Sequence, residues 1–571
     1  MVTNKLNNEY SLYLQEHKNN PVAWQPYSKE ISEIAQKENK PVLISIGYSS
    51  CHWCHVMAKE SFQDEATAEY INEHFIPVKV DREEFPDIDK KYQMFLQITR
   101  QMGGWPLTVF TDPDLTPFYG GTYFPKQEIQ GIPAFTNVLK TVSQLYHSKD
   151  EKLDQIRNSY IKFMNRFEQV DSDFTQFQKT IENKETITNF AEKFDMENGG
   201  LEGKSKFPNV PVLDYLLFYE EDDNVINFLK KTADQLCLSS IFDHINGGFF
   251  RYCVDEKWNI PHFEKMLYDN ALNANFLIDM YERTGDKLYY HISRKAIDFV
   301  LENFSTEFGL SASMNADTPD ENNNFTEGHY YKITYNDFPA DITDAEKELI
   351  TGYFILNNDI LKLRPVDYDN YIKLEKVFEK LKVNNKKEKP STDTKVILSW
   401  NMLFIKTLLD FAEITNEEYY MNMALNIFNK VKNFLTEENG AVYRIKYTQE
   451  LVFNHRTLED YAYSIETTLK IFEMTKDKHT LSLAMNQCNT MIDLFFANNI
   501  FYFDTSHSVT DTFDEAIPSA LGKIYKSILY LSKITEIDEK IITSLKNFAA
   551  DRVMKFPLGH PTLIKNMLTD E

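Results

Sequence analysis

Cys51-His52-Trp53-Cys54-His55 concentrates more chemistry than any other stretch of the chain. A thiolate with a second thiol one helical turn away is what disulfide exchange requires: one sulfur attacks and the other resolves the mixed disulfide. The preceding Pro41-Val42-Leu43-Ile44-Ser45-Ile46-Gly47 is short, apolar and β-branched, and reads as a buried strand. Val56-Met57-Ala58-Lys59-Glu60-Ser61-Phe62 reads as a helix. At such a strand-to-helix turn the first thiol meets free backbone N–H groups and the positive end of the helix dipole, both of which favour thiolate. Cys51 is therefore the candidate nucleophile and Cys54 the resolving thiol, with His52 and His55 adding positive charge. A zinc half-site and a purely structural pair are the competing readings. Structural zinc wants four ligands, and Cys237, Cys253 and Cys488 are isolated in sequence, so no metal and no cofactor is expected. Gly103-Gly104-Trp105-Pro106 places a proline just before the strand-like Leu107-Thr108-Val109-Phe110. A cis Pro106 there would face the cysteines and leave backbone groups free for a substrate peptide.

The rest of the chain must position that turn. A second strand reads at Phe75-Ile76-Pro77-Val78-Lys79-Val80. Asp81-Arg82-Glu83-Glu84-Phe85-Pro86-Asp87 follows as a charged loop, expected to be a solvated turn unless it borders the redox turn. Residues 133–180 read as one or two long polar helices. The 571 residues carry a formal charge of −25. That balance argues against nucleic acid or an anionic membrane as partner, because both need a basic surface. No apolar run approaches the roughly 18 residues of a membrane helix, and Met1–Asn8 lack the apolar core of a signal peptide. Five cysteines, only two of them paired by spacing, suit a reducing cytoplasm. Oligomeric state is not legible.

From about residue 185 the chain turns helical and repeats itself. Thr415, Thr475 and Thr535 are 60 residues apart, and each follows one amphipathic helix and precedes another. Thr284 marks a further copy and Phe218–Asp223 an earlier one. The gap from Thr284 to Thr415 leaves room for a further, irregular unit, and an early pair near 178–205 is another candidate. Such hairpins bury their apolar faces only against neighbours, and six closing into a ring would form an (α/α) toroid around a central cavity.

The loops between hairpins hold a second candidate site. Read as a helix from Pro261, His262, Lys265 and Asp269 share one side. Ser399-Trp400-Asn401, Leu458–Tyr463 and Ile517–Ala520 are equivalent points expected at the same mouth. Carboxylates do acid–base work and rings stack on pyranose faces in sugar sites. His262, Glu264 and Asp460 are thus candidate acid–base groups. His244, Arg251, Tyr252, Trp258, Tyr268, Asp269 and Trp400 are candidates to hold a substrate, although packing alone would also account for His262 and Trp400.

These motifs resemble a known family. Asn19–Trp24, Ser45–Met57, Val80–Asp89, Gly103–Pro106 and Gly120–Pro125 are similar to the thioredoxin-like domain of spermatogenesis-associated thioredoxin-domain proteins and their bacterial relatives. Gly199-Gly200, Lys206-Phe207-Pro208, Asp243–Asp269, Glu327-Gly328-His329-Tyr330-Tyr331, Thr394–Asn401 and Glu459–Ala462 resemble that family's six-hairpin, glycosidase-like region, which is similar also to sugar 2-epimerases. The resemblance implies an α/β thioredoxin-like domain over 1–150, a helical linker over 151–184 and an all-α (α/α)6 toroid over 185–571, and it adds Glu327 to the substrate-binding set. Two departures stand out. The acid that thioredoxins bury six residues before the first cysteine is Ser45 here, and an Asp-Ala-Asp run of relatives is Asn315-Ala316-Asp317. Three functions follow: a thiol–disulfide oxidoreductase acting on a protein or small-molecule disulfide, a sugar epimerase, isomerase or hydrolase, or a redox-sensing scaffold without catalysis.

Overall fold

The computed structural model describes residues 3–129, 131–181, 185–510 and 512–569. It separates into two compact units, Met1–Gln169 and Val170–Glu571.

The first unit is built on five strands: β1 (Gln25–Pro26), β2 (Val42–Gly47), β3 (Ile76–Asp81), β4 (Leu107–Thr111) and β5 (Pro117–Gly121), in spatial order β1-β3-β2-β4-β5. β1 and β2 run parallel to β3, whereas β4 runs antiparallel to both β2 and β5. Every residue of β2 and β3 is buried, as a central strand covered on both faces demands. Helices α1 (Leu12–Glu16), α2 (Ile31–Glu38), α3 (His52–Met57), α4 (Glu65–His74), α5 (Pro86–Arg100), α6 (Phe135–Ser148) and α7 (Glu151–Phe167) complete the unit. This is the thioredoxin-like arrangement the motifs imply. The helix expected from Val56 starts four residues earlier, at His52, and Ala58–Phe62 continues it as one π-helical turn.

Two expectations are corrected. Of the linker expected over 151–184, residues 182–184 lie outside the described residues and the rest is not a linker: Tyr160 of α7 belongs to the same core as Ile44, Val78 and Val109, with its ring 5.5 Å from that of Phe95. Residues beyond Gln169 belong to the second unit, where Asp551 Oδ1 accepts from the N–H groups of Asp171 and Ser172 at 2.9 and 3.1 Å. Nor is Asp81–Asp87 a solvated turn, because Asp81, Glu83, Glu84 and Asp87 are all buried. Asp81 accepts from the Ser11 hydroxyl (2.6 Å) and the Glu83 N–H (2.8 Å), and Arg82 lies 3.9 Å over the Trp105 ring. Internal donors replace water for these charges.

The second unit holds α8 (Phe174–Ile181), α9 (Glu185–Ala191), α10 (Val210–Leu216), α11 (Asp223–Leu238), α12 (Leu267–Thr284), α13 (Lys287–Asn303), α14 (Asp344–Tyr353), α15 (Tyr368–Asn384), α16 (Leu398–Thr415), α17 (Glu418–Leu435), α18 (Leu458–Thr475), α19 (Lys478–Phe495), α20 (Ala520–Ser532), α21 (Glu539–Lys555) and α22 (Pro561–Leu568). Helices α10, α12, α16, α18, α20 and α22 pack each on the next, and α22 returns to α10, so the inner ring closes. Outer helices α13, α17, α19 and α21 lie against α12, α16, α18 and α20. The threonine turns end α12, α16 and α18. Thr284, Thr415 and Thr475 each donate the hydroxyl to the carbonyl four residues back, at 2.6–2.8 Å.

The ring differs from the expected count in one respect. α12 packs directly on α16, so the stretch between Thr284 and Thr415 contributes no ring hairpin of its own. After α13 it forms an insertion whose helix α15 packs on α13. The sixth inner position is filled by the C-terminal α22, and the early helix α8 packs on the outer α21. The helix read from Pro261 also starts later than expected. Pro261–His262 pairs with Tyr252–Cys253 and Lys265–Met266 with Ser313–Met314, so α12 begins only at Leu267. His262, Lys265 and Asp269 therefore share no helix face.

Gly440 closes the turn after α17 at φ +90, and a Cβ there would collide with the backbone of Asn486 in α19. Gly440→Ala is expected to destabilise the second unit by at least about 2 kcal/mol, read as a lower melting temperature. An unchanged melting temperature would contradict this packing.

Candidate functional site

The redox turn is assembled by β2 and α3. Cys51 is the N-cap of α3, and its Sγ accepts from the Cys54 N–H at 3.2 Å. The two cysteines form a disulfide with Cα atoms 5.3 Å apart. Both are buried, Cys51 no more exposed than Cys54 in any useful sense (2% and 1%). Trp53 is exposed and packs on Tyr123 at 5.1 Å between ring centroids. Gly47 ends β2 beneath the bridge. A side chain there would meet the Tyr13 hydroxyl and lie 2.7 Å from Cys54 Sγ, so only glycine lets strand and disulfide approach so closely.

The Trp105–Pro106 bond is cis and Pro106 is buried. Trp105 ties this segment to the turn. Its ring meets that of Tyr48 at 5.9 Å, and the Tyr48 carbonyl accepts from Cys51 N–H at 3.3 Å. Trp105 Nε1 donates to Asp89 at 2.9 Å, and Arg82 reaches the same carboxylate at 3.4 Å. Tyr48, Arg82 and Asp89 had no sequence signal beyond lying in the motifs.

The second-unit candidates separate into groups. Arg251, Tyr252, His262, Glu264 and Glu327 come together. The two-residue ladder aligns Tyr252 with His262, and their rings lie 4.9 Å apart. His262 Nδ1 is 2.7 Å from Glu327 Oε1 and 3.8 Å from Glu264 Oε1, and Arg251 reaches Glu264 at 3.3 Å. Burial pulls the His262 pKa down, but the contact with Glu327 and the two carboxylates outweigh it and hold it above the ordinary imidazole value. Phe207 stacks on Tyr252 at 4.4 Å, nearly parallel, with 42% of its surface exposed. The cluster thus presents an aromatic face beside a histidine–carboxylate pair.

Other candidates serve structure. Asp460 is fully buried. It takes two contacts from Arg444 (3.0 and 3.1 Å) and the hydroxyl of its N-cap Thr457 (2.7 Å). The acid–base role expected of Asp460 therefore gives way to a buried pair, while its neighbour Glu459 joins Arg444 (3.4 Å) to the Ser399 hydroxyl (2.9 Å). His244 lies beneath the insertion, 3.2 Å from the Tyr371 hydroxyl and stacked on Phe378. Burial, then Lys295, pushes its pKa down to about 3. Trp258 is fully buried and donates to the Asn198 carbonyl at 3.0 Å. Tyr268 meets Trp400 edge-on at 4.8 Å, both buried, and Asp269 lies in the first turn of α12. The loop points do meet in series: Tyr268 with Trp400, Ser399 with Glu459, and the Tyr463 hydroxyl with the Pro518 carbonyl at 2.7 Å. Asn315 accepts from Asp317 N–H at 3.1 Å, a turn an aspartate would make equally well.

The interior of the ring is different. A cavity of about 470 Å³ is lined by all six inner helices and, of the points expected at the mouth, by Pro518 but by none of the candidate acid–base or substrate-holding residues. Its walls carry ion pairs: Lys406–Asp410 (2.5 Å), Lys470–Asp410 (3.1 Å), Lys523–Glu466 (2.9 Å) and Lys565–Asp214 (2.6 Å). Among the described residues no group of histidines, cysteines and carboxylates could hold a metal, and no helix is long and apolar enough to cross a membrane.

Comparison with known proteins agrees with the resemblance drawn from the motifs. Residues 3–165 match the family model Thioredox_DsbH, described as a protein of unknown function, DUF255. Over 98% of its length the chain is 29% identical to the uncharacterized protein B0495.5 of Caenorhabditis elegans, spanning 85% of that protein. Over 99% it is 28% identical to spermatogenesis-associated protein 20 of Homo sapiens, spanning 80%. Among solved structures, a D-mannose isomerase aligns with 66% of this chain and 86% of its own at 9% identity and a TM-score of 0.43. A GH76 alpha-mannanase of Bacteroides thetaiotaomicron aligns with 67% and 83% at 11% identity and a TM-score of 0.39.

Two outcomes test the grouping. By NMR, His262 is expected to titrate above the roughly 6.5 of free imidazole, and Glu327→Gln to bring it down. The stability this raised pKa contributes is present below the unfolded value and lost as pH rises through the native one. A titration indifferent to Glu327 would refute the pairing. Asp460→Ala leaves Arg444 undercompensated and is expected to cost about 3 kcal/mol or more, whereas Glu327→Gln at the partly exposed rim costs far less. Equal losses on unfolding would contradict the division between structural and reactive acids.

Proposed function

We propose that the first unit is a dithiol–disulfide oxidoreductase, with Cys51 as nucleophile, Cys54 as resolving thiol and the segment at cis Pro106 bordering the substrate. One observation carries it: the Cys54 N–H aimed at Cys51 Sγ from the first turn of α3. In the reduced protein the same N–H stabilises a Cys51 thiolate and leaves Cys54 poised to close the ring. The remaining cysteines, Cys237, Cys253 and Cys488, are free and buried, and burial pushes each thiol up. This suits a protein working in a reducing cytoplasm on a disulfide of a protein or a small molecule.

A second reading concerns the second unit. The His262–Glu327 pair beside the Phe207–Tyr252 face favours a sugar-binding site with acid–base capacity, hence an epimerase, isomerase or hydrolase. Glu264 and Arg251 would orient the histidine, and Glu327, at its more open edge, would exchange protons. A scaffold without catalysis draws little support from Asn315, whose turn an aspartate would also make.

Cys51→Ser is expected to abolish reduction of an added disulfide. Cys54→Ser should instead trap the substrate as a mixed disulfide, visible by mass spectrometry of the intact chain. Activity surviving in Cys51→Ser would end the first reading. For the second, a screen of mono- and disaccharides that stabilises wild-type protein but not His262→Ala is expected. No stabilisation by any sugar would count against it.

A further inference from the structure

Behind the disulfide lies a lysine where a buried acid was expected to be needed. Parallel pairing of β2 with β3 sets Ser45 beside Lys79 and Gly47 beside Asp81. Ser45 and Gly47, two residues apart, face the same side of the sheet, and α1 covers that side with Tyr13. Lys79 is 1% exposed, and its ammonium position lies 3.0 Å from Ser45 Oγ. Three rings enclose it, those of Phe62, Tyr13 and Trp24, with centroids 4.5, 4.9 and 5.0 Å away. No carboxylate of the described residues lies within ion-pair distance of it. The Tyr13 hydroxyl is also buried and has no hydrogen-bond partner of full geometry. It is close enough to Ser45 to be influenced by that hydroxyl, and it shares with Cys54 Sγ the space a side chain at Gly47 would fill.

We propose that Tyr13, Ser45 and Lys79 form a proton relay from Cys54, with the Lys79 amine as the terminal base in place of the missing buried carboxylate. This rests on the oxidoreductase reading. The step balances as follows. Cys51 is joined to the substrate by a mixed disulfide. The Cys54 thiol gives its proton through the Tyr13 and Ser45 hydroxyls to the Lys79 amine. The Cys54 sulfur attacks Cys51 Sγ, the Cys51–Cys54 bond forms, and the substrate leaves as a thiolate carrying the electron pair. The protein dithiol is oxidised and the substrate disulfide reduced. Burial drives the Lys79 pKa well down, so a neutral amine is available to accept, and Glu16 opposes that shift only in part. The ammonium formed is then held by the three ring faces.

The other titratable groups around the lysine have separate partners. His17, which caps the end of α1, bonds Asn20 at 2.8 Å, and burial above all pulls its pKa down. Glu16 lies 3.6 Å from His55 of α3. On β3, Asp81 accepts from Ser11 at 2.6 Å. The atoms nearest the space above Gly47 are those of Tyr13 and Cys54 Sγ.

The test uses the reduced full-length chain and 5,5′-dithiobis(2-nitrobenzoate), which releases one coloured thiolate on attack by Cys51 and a second on resolution by Cys54. In wild type both phases are expected, the second with a pH dependence set below the roughly 8.5 of a free thiol. Lys79→Met should slow the second phase at pH 7 by about tenfold or more and move its pH dependence toward that of a free thiol, leaving the first within about twofold. Lys79→Arg keeps a long basic side chain, but its guanidinium is permanently charged and cannot accept a proton, so it should behave as Lys79→Met. Tyr13→Phe and Ser45→Ala, which retain the amine, should slow the same phase, and they decide the matter if the lysine variants do not fold. Full rates in Lys79→Arg, or an unshifted second-phase pH profile in Lys79→Met and Tyr13→Phe, would overturn the relay while leaving the oxidoreductase intact. A wild-type chain that releases no thiolate in the first phase would overturn the oxidoreductase reading itself.

Discussion

A ring of helical hairpins has no free edge only if its last member meets its first. Here the meeting is α22 against α10, pinned by Lys565 and Asp214 at 2.6 Å. Without it, α10 and α20 would each expose an apolar flank, because a hairpin's inner face is buried only by its neighbours. Closure also sorts the chemistry by position. All inner helices but α22, which follows α21 after a short turn at Pro557–Gly559, are entered through long loops, and in the three regular copies the inner helix is left by a threonine turn. The variable loops therefore gather at one end, and the middles and C-terminal halves of the helices surround the cavity.

What fills that cavity follows from the same geometry. Side chains that point inward from six helices would leave a hole if they were all short, and long charged ones fill it if they pair. Lys406, Lys470 and Lys523 each find a carboxylate, partly on the same helix and partly across to the next. Asp279 is the exception. Burial, reinforced by Asp214 and Asp410, carries it up to about 7, so it sheds charge rather than pairing. The cavity walls are thus ion-paired, while the His262–Glu327 pair and its aromatic face lie outside the cavity lining.

Much of this was legible. The 60-residue spacing survives as α16 and α18, whose first residues stand that far apart, because each turn is locked by the same threonine-to-carbonyl bond. The strand-to-helix turn that carries the cysteine pair was legible because an apolar β-branched run ends just before it and a Gly- and Pro-free run follows. The apparent helix from Pro261 misled, since the i, i+3, i+7 pattern arose in residues that pair as strands, and pairing partners such as Ser313 lie far along the chain. The insertion after α13 misled for a similar reason: the Thr284–Thr415 gap exceeds one 60-residue period by enough for a further hairpin, but helix α15 of the insertion packs on the outer α13. One signal went unread. Asp195-Met196-Glu197-Asn198-Gly199-Gly200 and Asp243-His244-Ile245-Asn246-Gly247-Gly248 repeat a turn in which the aspartate bonds the asparagine N–H and is joined by a distant lysine, Lys206 or Lys265, at 2.7 Å in both cases. That pairing marks His244 as a turn residue rather than a substrate contact.

Those two lysines also give Lys79 its meaning. All three are buried to 1% or less. A buried ammonium is costly unless a counter-charge offsets its lost hydration. Lys206 and Lys265 have that counter-charge, each on an aspartate held by a glycine turn, and they are explained by the turns they brace. Lys79 has a serine and three rings instead. Lys206 and Lys265 thus show a lysine buried for structure, and Lys79 departs from that pattern beside Ser45, where the proposed relay would take its proton from Cys54. A lysine needed only for packing at that site could be replaced by an apolar side chain of similar length with no charge to accommodate, so retaining the amine among aromatic rings is better accounted for by proton transfer than by stability.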